Sequence, residues 1–435
     1  MPYDIIIGRD QSDKEKFGSK GVIYLGKGYV KMGNYTSLSN KIWMDVARSH
    51  VVLVAGKRGS GKSYSLGTIA EELADLSEEA AKNIASLIFD TMGIFWTMKF
   101  KNEKEKELLK EWELESKNLP VKVFIPFGKV EEYKEKLVPF DYTFALKASE
   151  LEAEDWITIF NLSMTSLEGV LVTRIVSNLK DEGSFTIADV EDKIKKDSQS
   201  NKDTKEIVSA LFSAADNWGI FSKTEEGTKI SDLVSAGTTT VLDISVYSSI
   251  SAFNVRALVI SLISRKLFET RMDARKKEEL EALQHGQDYL SYKQERKEPL
   301  IWLFLDEAHE FLPREGKTPA TDVLVQILRE GRQPGISLVM ATQQPGQIHK
   351  DVMTQSDLVI AHRLTAKPDI EALNEIMQTY LAKTIKQQID DLPNLKGSAI
   401  ILDDNSERIY PIRIRPRFTW HGGEAPTAVK AEVKL

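Results

Sequence analysis

The run Gly56-Lys57-Arg58-Gly59-Ser60-Gly61-Lys62-Ser63 spells G-x-x-x-x-G-K-S, and few arrangements of chain can use it. Before it stands Val51-Val52-Leu53-Val54-Ala55, a short β-branched apolar run with the pattern of a buried parallel strand. After it, from Tyr64 to Leu76, apolar residues recur at helical spacing (Leu66, Ile69, Ala70, Leu73). A strand, a glycine-rich turn and a helix in that order set consecutive backbone N–H groups around a polyphosphate, at the positive end of the helix dipole. Lys62 is then expected to reach the β- and γ-phosphates, and Ser63 to offer its hydroxyl to Mg²⁺. A glycine-rich turn with no ligand is the bland alternative, and the complete motif in its proper context weighs against it.

Three further features lie downstream. Leu300-Ile301-Trp302-Leu303-Phe304-Leu305-Asp306-Glu307 is an apolar strand ending in two carboxylates. Asp306 is expected in the metal shell. Glu307, one residue on, is placed to accept a proton from the attacking water. The strand Gly335 to Thr342 ends in Gln343-Gln344, which makes Gln343 either a γ-phosphate sensor or a satisfied strand-end amide. A helix over Thr321 to Arg329, ended by Gly331 as its left-handed cap, would project Arg332 from a helix–strand corner. That arginine reads as a finger for a neighbouring subunit's nucleotide, or as a surface residue paired with Glu330 or Asp322.

The chain of 435 residues allows two or three domains, and its 42% hydrophobic content supports a real core. Cysteine is absent, which excludes disulfides and cysteine-bound zinc and points to a reducing compartment. The N-terminus lacks a basic region followed by an apolar run, and no window of ~18 apolar residues occurs, so a cytoplasmic protein without signal or transmembrane helix is expected. A net charge of −7 argues against general nucleic-acid affinity, though not against a basic channel inside a ring. The abundance of Lys and Glu leans thermophilic.

The expected fold is α/β: a P-loop core with a helical insertion and a small N-terminal β element. Residues 1–45 read as that β element, with strands over 4–8 and 21–26. Residues 46–144 and 236–418 read as two parts of the core, 145–235 as a helical subdomain, and 419–435 as a tail that is flexible or laces onto a neighbour. The core is expected to carry strands over 86–89, 121–125 and 239–244, and helices over 101–115 and 253–271. Helices are expected over 154–162, 167–179 and 187–194, and a loop over 195–203. The charged stretch 272–298 suggests a solvated helical protrusion, or less simply a DNA-contacting loop. The alternating apolar and basic run from Ile412 to Arg417 suits a half-buried edge strand, with a DNA-facing or intersubunit role as the sharper reading.

Taken together, G-K-R-G-S-G-K-S, L-I-F-D-T-M-G, F-L-D-E-A-H-E-F-L, L-R-E-G-R-Q-P-G-I-S and A-T-Q-Q-P, in this order, resemble the HerA/FtsK superfamily, and most of all its archaeal-type HerA branch. The resemblance covers roughly residues 46 to 415. It implies a RecA-like core, a homo-hexameric ring, Mg²⁺-dependent ATP hydrolysis between subunits and passage of double-stranded DNA through a central pore. A nuclease partner of the NurA kind would fit the same family. Lys62 and Ser63 match the family's nucleotide and metal residues, Asp306 the metal aspartate, Glu307 the catalytic glutamate and Asp90 the acid that ends the second core strand. Arg332 matches its trans-acting arginine, Gln343 its polar sensor and Arg48, less closely, an arginine ahead of the first core strand. Three departures suggest a divergent branch: Gln344 replaces an arginine, the N-terminal element is short, and Lys57-Arg58 add charge to the phosphate loop. A motor of a conjugation-type transfer machine, and a nucleotide-dependent scaffold that recruits an effector without moving DNA, are the alternative readings.

Overall fold

A computed structural model describes residues 4–32, 35–248, 253–284, 298–376 and 385–423. Thirteen strands join in one sheet. In chain order they are β1 (Ile5–Ile7), β2 (Val22–Met32), β3 (Tyr35–Asp45), β4 (Val51–Ala55), β5 (Ile84–Asp90), β6 (Val121–Pro126), β7 (Tyr142–Phe144), β8 (Thr239–Asp243), β9 (Leu300–Leu305), β10 (Ile336–Thr342), β11 (Leu358–His362), β12 (Ser398–Asp403) and β13 (Arg408–Ile414). Their spatial order is β1-β3-β2-β13-β12-β11-β4-β10-β9-β5-β8-β6-β7. From β11 to β7 every neighbouring pair is parallel. From β11 through β12, β13 and β2 to β3 the pairs are antiparallel.

The parallel half is buried on both faces, which is why its strands read as unbroken apolar runs. Every residue of β5, β8, β10 and β11 is buried. Along β4, side chains alternate between two cores: Leu53 and Ala55 enter one, Val52 and Val54 the other. The helix α1 (Lys62–Ala74) covers the second core with Leu66, Ile69, Ala70 and Leu73. On the other face lie α2 (Ala153–Ile159), α3 (Leu167–Glu182), α4 (Ile187–Lys196), α5 (Lys202–Asn217), α6 (Phe253–Gln284) and α7 (Thr321–Glu330).

Several expectations are revised. The N-terminal strands are not merely packed on the core; β2 pairs with β13, so β1–β3 continue the central sheet. The polar run Tyr35 to Asn40 hid β3, whose pairing with β2 is broken by two irregularities of register. The stretch 101–115 holds only a helix of six residues, Lys106–Glu111, because Lys101 bridges to Thr419 and Glu113 turns left-handed at φ 59°. Of the expected loop 195–203, residues 197–201 are loop and only the two ends are helical. Asn201 accepts a hydrogen bond from the Thr204 N–H and so starts α5, a helix the polar composition concealed. Helix α6 runs on to Gln284, beyond the expected 271, and residues 285–297 of the charged stretch lie outside the described residues.

Two corrections concern the second half. Gly331 ends α7 with an ordinary φ of −62°, not as a left-handed cap. The turn is made by Gly335 at φ 86°, where a Cβ would lie 2.3 Å from Leu300 Cδ2. Strand β13 is no edge strand, since β12 and β2 flank it. Arg415 and Arg417 beyond it are buried and bind Glu71 of α1, so they do not face DNA. Thr419 is buried with them, and residues 424–435 of the expected tail lie outside the described residues.

Candidate active site

Strand β10 lies between β4 and β9, with Thr342 opposite Ala55 and Met340 opposite Leu305. The C-terminal ends of all three strands therefore meet at one edge of the sheet, where ligands bind in open parallel sheets. At this edge β4 turns into the phosphate loop and α1. Gly61 takes a left-handed φ of 112° at the start of α1. Gly56 can be nothing larger: a Cβ there would lie 2.4 Å from Ser60 Oγ and 2.7 Å from His362 Cβ.

The loop is held from below. The Gly56 N–H donates to the Thr342 carbonyl and the Lys57 N–H to the Arg363 carbonyl. Buried His362 lies beneath the loop, with Nε2 2.8 Å from Ser65 Oγ and Nδ1 3.0 Å from the Ser398 carbonyl. Burial pushes its imidazole down to about 4, so it is neutral. Lys57, Arg58 and Gly59 are exposed at the crest. Ser60 Oγ is buried without a hydrogen-bond partner among the described residues. Lys62 folds back over the loop and donates to the Lys57 carbonyl at 3.4 Å. Burial lowers the Lys62 pKa, and Glu307 and Asp306 oppose that shift.

Ser63 Oγ donates to Asp306 Oδ2 at 2.7 Å. A hydroxyl and a carboxylate brought together from α1 and β9 are hard oxygen donors of the kind Mg²⁺ prefers, and such sites use one or two carboxylates plus phosphate oxygens. The orphaned Ser60 hydroxyl, the glycine-only position 56 and this oxygen pair fit a metal–nucleotide ligand. Burial raises the Asp306 pKa, and the Ser63 hydrogen bond opposes it.

Glu307 begins the turn after β9 with φ 49°, a left-handed conformation that costs a non-glycine residue energy. Burial, and then Asp306 beside it, push its carboxyl up to about 7. One of its oxygens, Oε2, is buried with no hydrogen bond among the described residues. His309 Nδ1 lies 3.5 Å from that oxygen and 3.3 Å from Thr342 Oγ1. Gln343, next along β10, is half-buried, and no hydrogen bond of its side chain is seen among the described residues.

Of the other expected residues, Asp90 lies beside this cluster and Arg48 and Arg332 lie apart from it. Asp90 ends β5 beside it, but its two oxygens accept the N–H groups of Met92, Gly93, Ile94 and Phe95 at 2.7–3.2 Å. These four bonds anchor the loop after β5, while burial, then Asp243, raise the Asp90 pKa. Arg48 precedes β4 and Arg332 precedes β10, so both lie at the sheet edge away from this chain's own phosphate loop. Arg48 pairs with Asp13 at 2.8 Å. Arg332 is exposed and makes no ion pair among the described residues. Its sequence candidates are engaged elsewhere, Asp322 with Lys317 and Glu330 with Gln326. His309 and His362 were not singled out from sequence. His309 stood inside F-L-D-E-A-H-E, and His362 closes an apolar strand with no local mark of its role.

The family model described as the central domain of helicase HerA matches residues 30–267, more than half of the chain. The chain belongs to the HerA family. Its HerA match runs from β2 into α6 and includes the phosphate loop, while Asp306, Glu307 and Arg332 lie beyond it. The DNA double-strand break repair helicase HerA of Pyrococcus furiosus is 28% identical over 149 residues, 32% of this chain and 24% of that protein. A probable DNA double-strand break repair helicase HerA of Methanocaldococcus jannaschii is 30% identical over 92 residues, 21% of this chain and 17% of that one. The matches thus span a quarter or less of these relatives' lengths. Among solved structures, VirB4 of Thermoanaerobacter pseudethanolicus aligns over 90% of this chain and 96% of its own, with a TM-score of 0.54 and 11% identity, which shows a shared fold.

Proposed function

We propose that this HerA-family chain is a Mg²⁺-dependent ATPase that drives movement of double-stranded DNA, working as a homo-hexameric ring. The reading rests on one juxtaposition: Lys62, Ser63, Asp306 and Glu307 meet at one sheet edge, while exposed Arg332 lies toward the other. A chain so built carries a phosphate site with its base and metal ligand, and offers its arginine to a neighbour's site. A cytoplasmic location and a nuclease partner belong to the same reading. Among the described residues no helix is long and apolar enough to cross a membrane.

In this mechanism the loop amides and Lys62 hold the polyphosphate, and the first turn of α1 adds its dipole. When bound, Mg²⁺ would be held through Ser63 and Asp306 and would neutralise charge on the β- and γ-oxygens. Glu307 accepts a proton from water as the water oxygen bonds to the γ-phosphorus and the bridging P–O bond breaks, giving ADP and phosphate. Arg332 of the neighbouring subunit stabilises the charge that develops on the γ-phosphoryl oxygens. Contacts to DNA would read phosphates rather than bases and would weaken with salt.

The test is ATP turnover against double-stranded DNA of increasing length. A motor shows stimulation that grows with length. A basal rate indifferent to DNA would replace the motor with a nucleotide-dependent scaffold. Particle images with and without DNA check the ring, where six-fold symmetry with density in the channel is expected.

A further inference from the structure

Two side chains at the catalytic edge, Thr342 and Glu307, converge on a single nitrogen of a third, His309. His309 Nδ1 lies 3.3 Å from Thr342 Oγ1, within hydrogen-bond reach, and 3.5 Å from Glu307 Oε2, at the margin of it. Oε2 is buried and has no hydrogen bond among the described residues, so the imidazole is the donor nearest at hand for it. The ring is itself largely buried, at 13% exposure. Burial, then Lys62, lower its pKa, so it acts as a neutral donor–acceptor and not as a charge.

Thr342 is no passive partner. Its carbonyl accepts the Gly56 N–H at the mouth of the phosphate loop, and its hydroxyl accepts the Gln344 N–H. It thus links the loop, the Gln343 segment and, through His309, the neighbourhood of Glu307. The backbone of Glu307 is pinned in the left-handed region, so what remains free to adjust is its side chain. A movement of the His309 ring by a few tenths of an ångström, passed on from the end of β10 through Thr342, would bring Nδ1 into ordinary hydrogen-bond reach of Oε2.

We propose that His309 is a positioning residue, steering the Glu307 carboxylate and tying its place to the end of β10. This rests on Glu307 being the base. Through His309, whatever moves the Thr342–Gln343 strand end also moves the proton acceptor.

The test uses the full chain with His309→Ala, His309→Asn and Thr342→Val, with thermal unfolding to verify folding. Asparagine can set an amide nitrogen near the place of Nδ1, and valine keeps the shape of threonine without its hydroxyl. ATP turnover is read beside equilibrium binding of a non-hydrolysable ATP analogue. His309→Ala should lower kcat about tenfold or more while leaving KM and analogue affinity within about twofold, because it disturbs the transition state and not ground-state binding. His309→Asn should recover most of that loss, and Thr342→Val should fall between. Native kcat in His309→Ala, an equal loss of analogue affinity, or an Asn variant as slow as the Ala variant would each overturn the proposal. Glu307→Gln separates the two readings: if it retains native turnover, Glu307 is not the base. If it is inactive while His309→Ala is not, only the positioning role fails.

Discussion

In the proposed mechanism Glu307 is the residue on which turnover most depends, and its surroundings are costly to maintain. It is strained at φ 49°, partly desolvated, and its carboxyl is pushed up to about 7 by burial and by Asp306. Glu307→Gln should therefore keep ATP binding but lose turnover by about 10²–10⁴-fold, the usual worth of general base catalysis; nucleotide titration beside phosphate release checks it. A second residue-scale prediction concerns His50, between Asp357 at 2.6 Å and Asp45 at 3.1 Å. Burial pulls its imidazole down, but Asp357 and then Asp45 more than reverse this, leaving it at about 9 against an ordinary 6.5. A raised pKa in the folded chain means the contribution is complete below pH ~6.5, shrinks above it and is gone past pH ~9, on the order of 3 kcal/mol in all. Denaturant midpoints across pH 6 to 9.5 should fall accordingly, and His50→Gln should flatten that fall. None of this was legible in the sequence. The phosphate loop, Asp306 and Glu307 announce themselves because their spacing is local. His50, His309 and His362 work through partners far away in the chain, and no local pattern marks them.

At the scale of elements, α1 is gripped from behind. Glu71, fully buried, binds Arg415 at 3.2 Å and Arg417 at 2.8 Å and accepts the N–H groups of Phe418 and Thr419. Arg415 also reaches Glu72 at 2.8 Å. Burial alone would raise the Glu71 pKa, yet Arg417 and Arg415 hold it below the usual range. Removing one side of such a group leaves buried charge uncompensated. Glu71→Ala should cost about 3–5 kcal/mol in urea unfolding, more than loss of an exposed pair such as Lys317–Asp322, which should cost under about 1 kcal/mol. Strands and amphipathic helices were readable wherever apolar periodicity was strong, as in β4, β9, α1 and α3. Polar stretches misled: β3 and α5 are set by pairing and capping, and Arg415 and Arg417, read as part of a half-buried edge strand, are the core of a clasp.

For the whole molecule, the decisive matter is where Arg332 ends up. It leads into β10, whose opposite end closes on the phosphate loop, so a strand's length separates it from its own nucleotide site. Arg332→Ala should then leave ATP affinity nearly intact and cut turnover by about 10³–10⁵-fold. Mixing Arg332→Ala with Lys62→Ala subunits should restore part of the activity, because some seams would join an intact loop to an intact arginine. Steady-state rates across mixing ratios check this, and a flat, inactive series would count against a shared site.

The placement of β4 has a consequence for the birth of the protein. This strand leaves the ribosome about 280 residues ahead of the first of the two strands that enclose it, Ile336–Thr342 and Leu358–His362, and β2 likewise long precedes β13, which receives it. Throughout synthesis the apolar edges of the first strands wait without their mates, and closure must come as one late, long-range event. Nascent chains halted short of β10 should accordingly be sticky, clients for holding chaperones and blind to nucleotide.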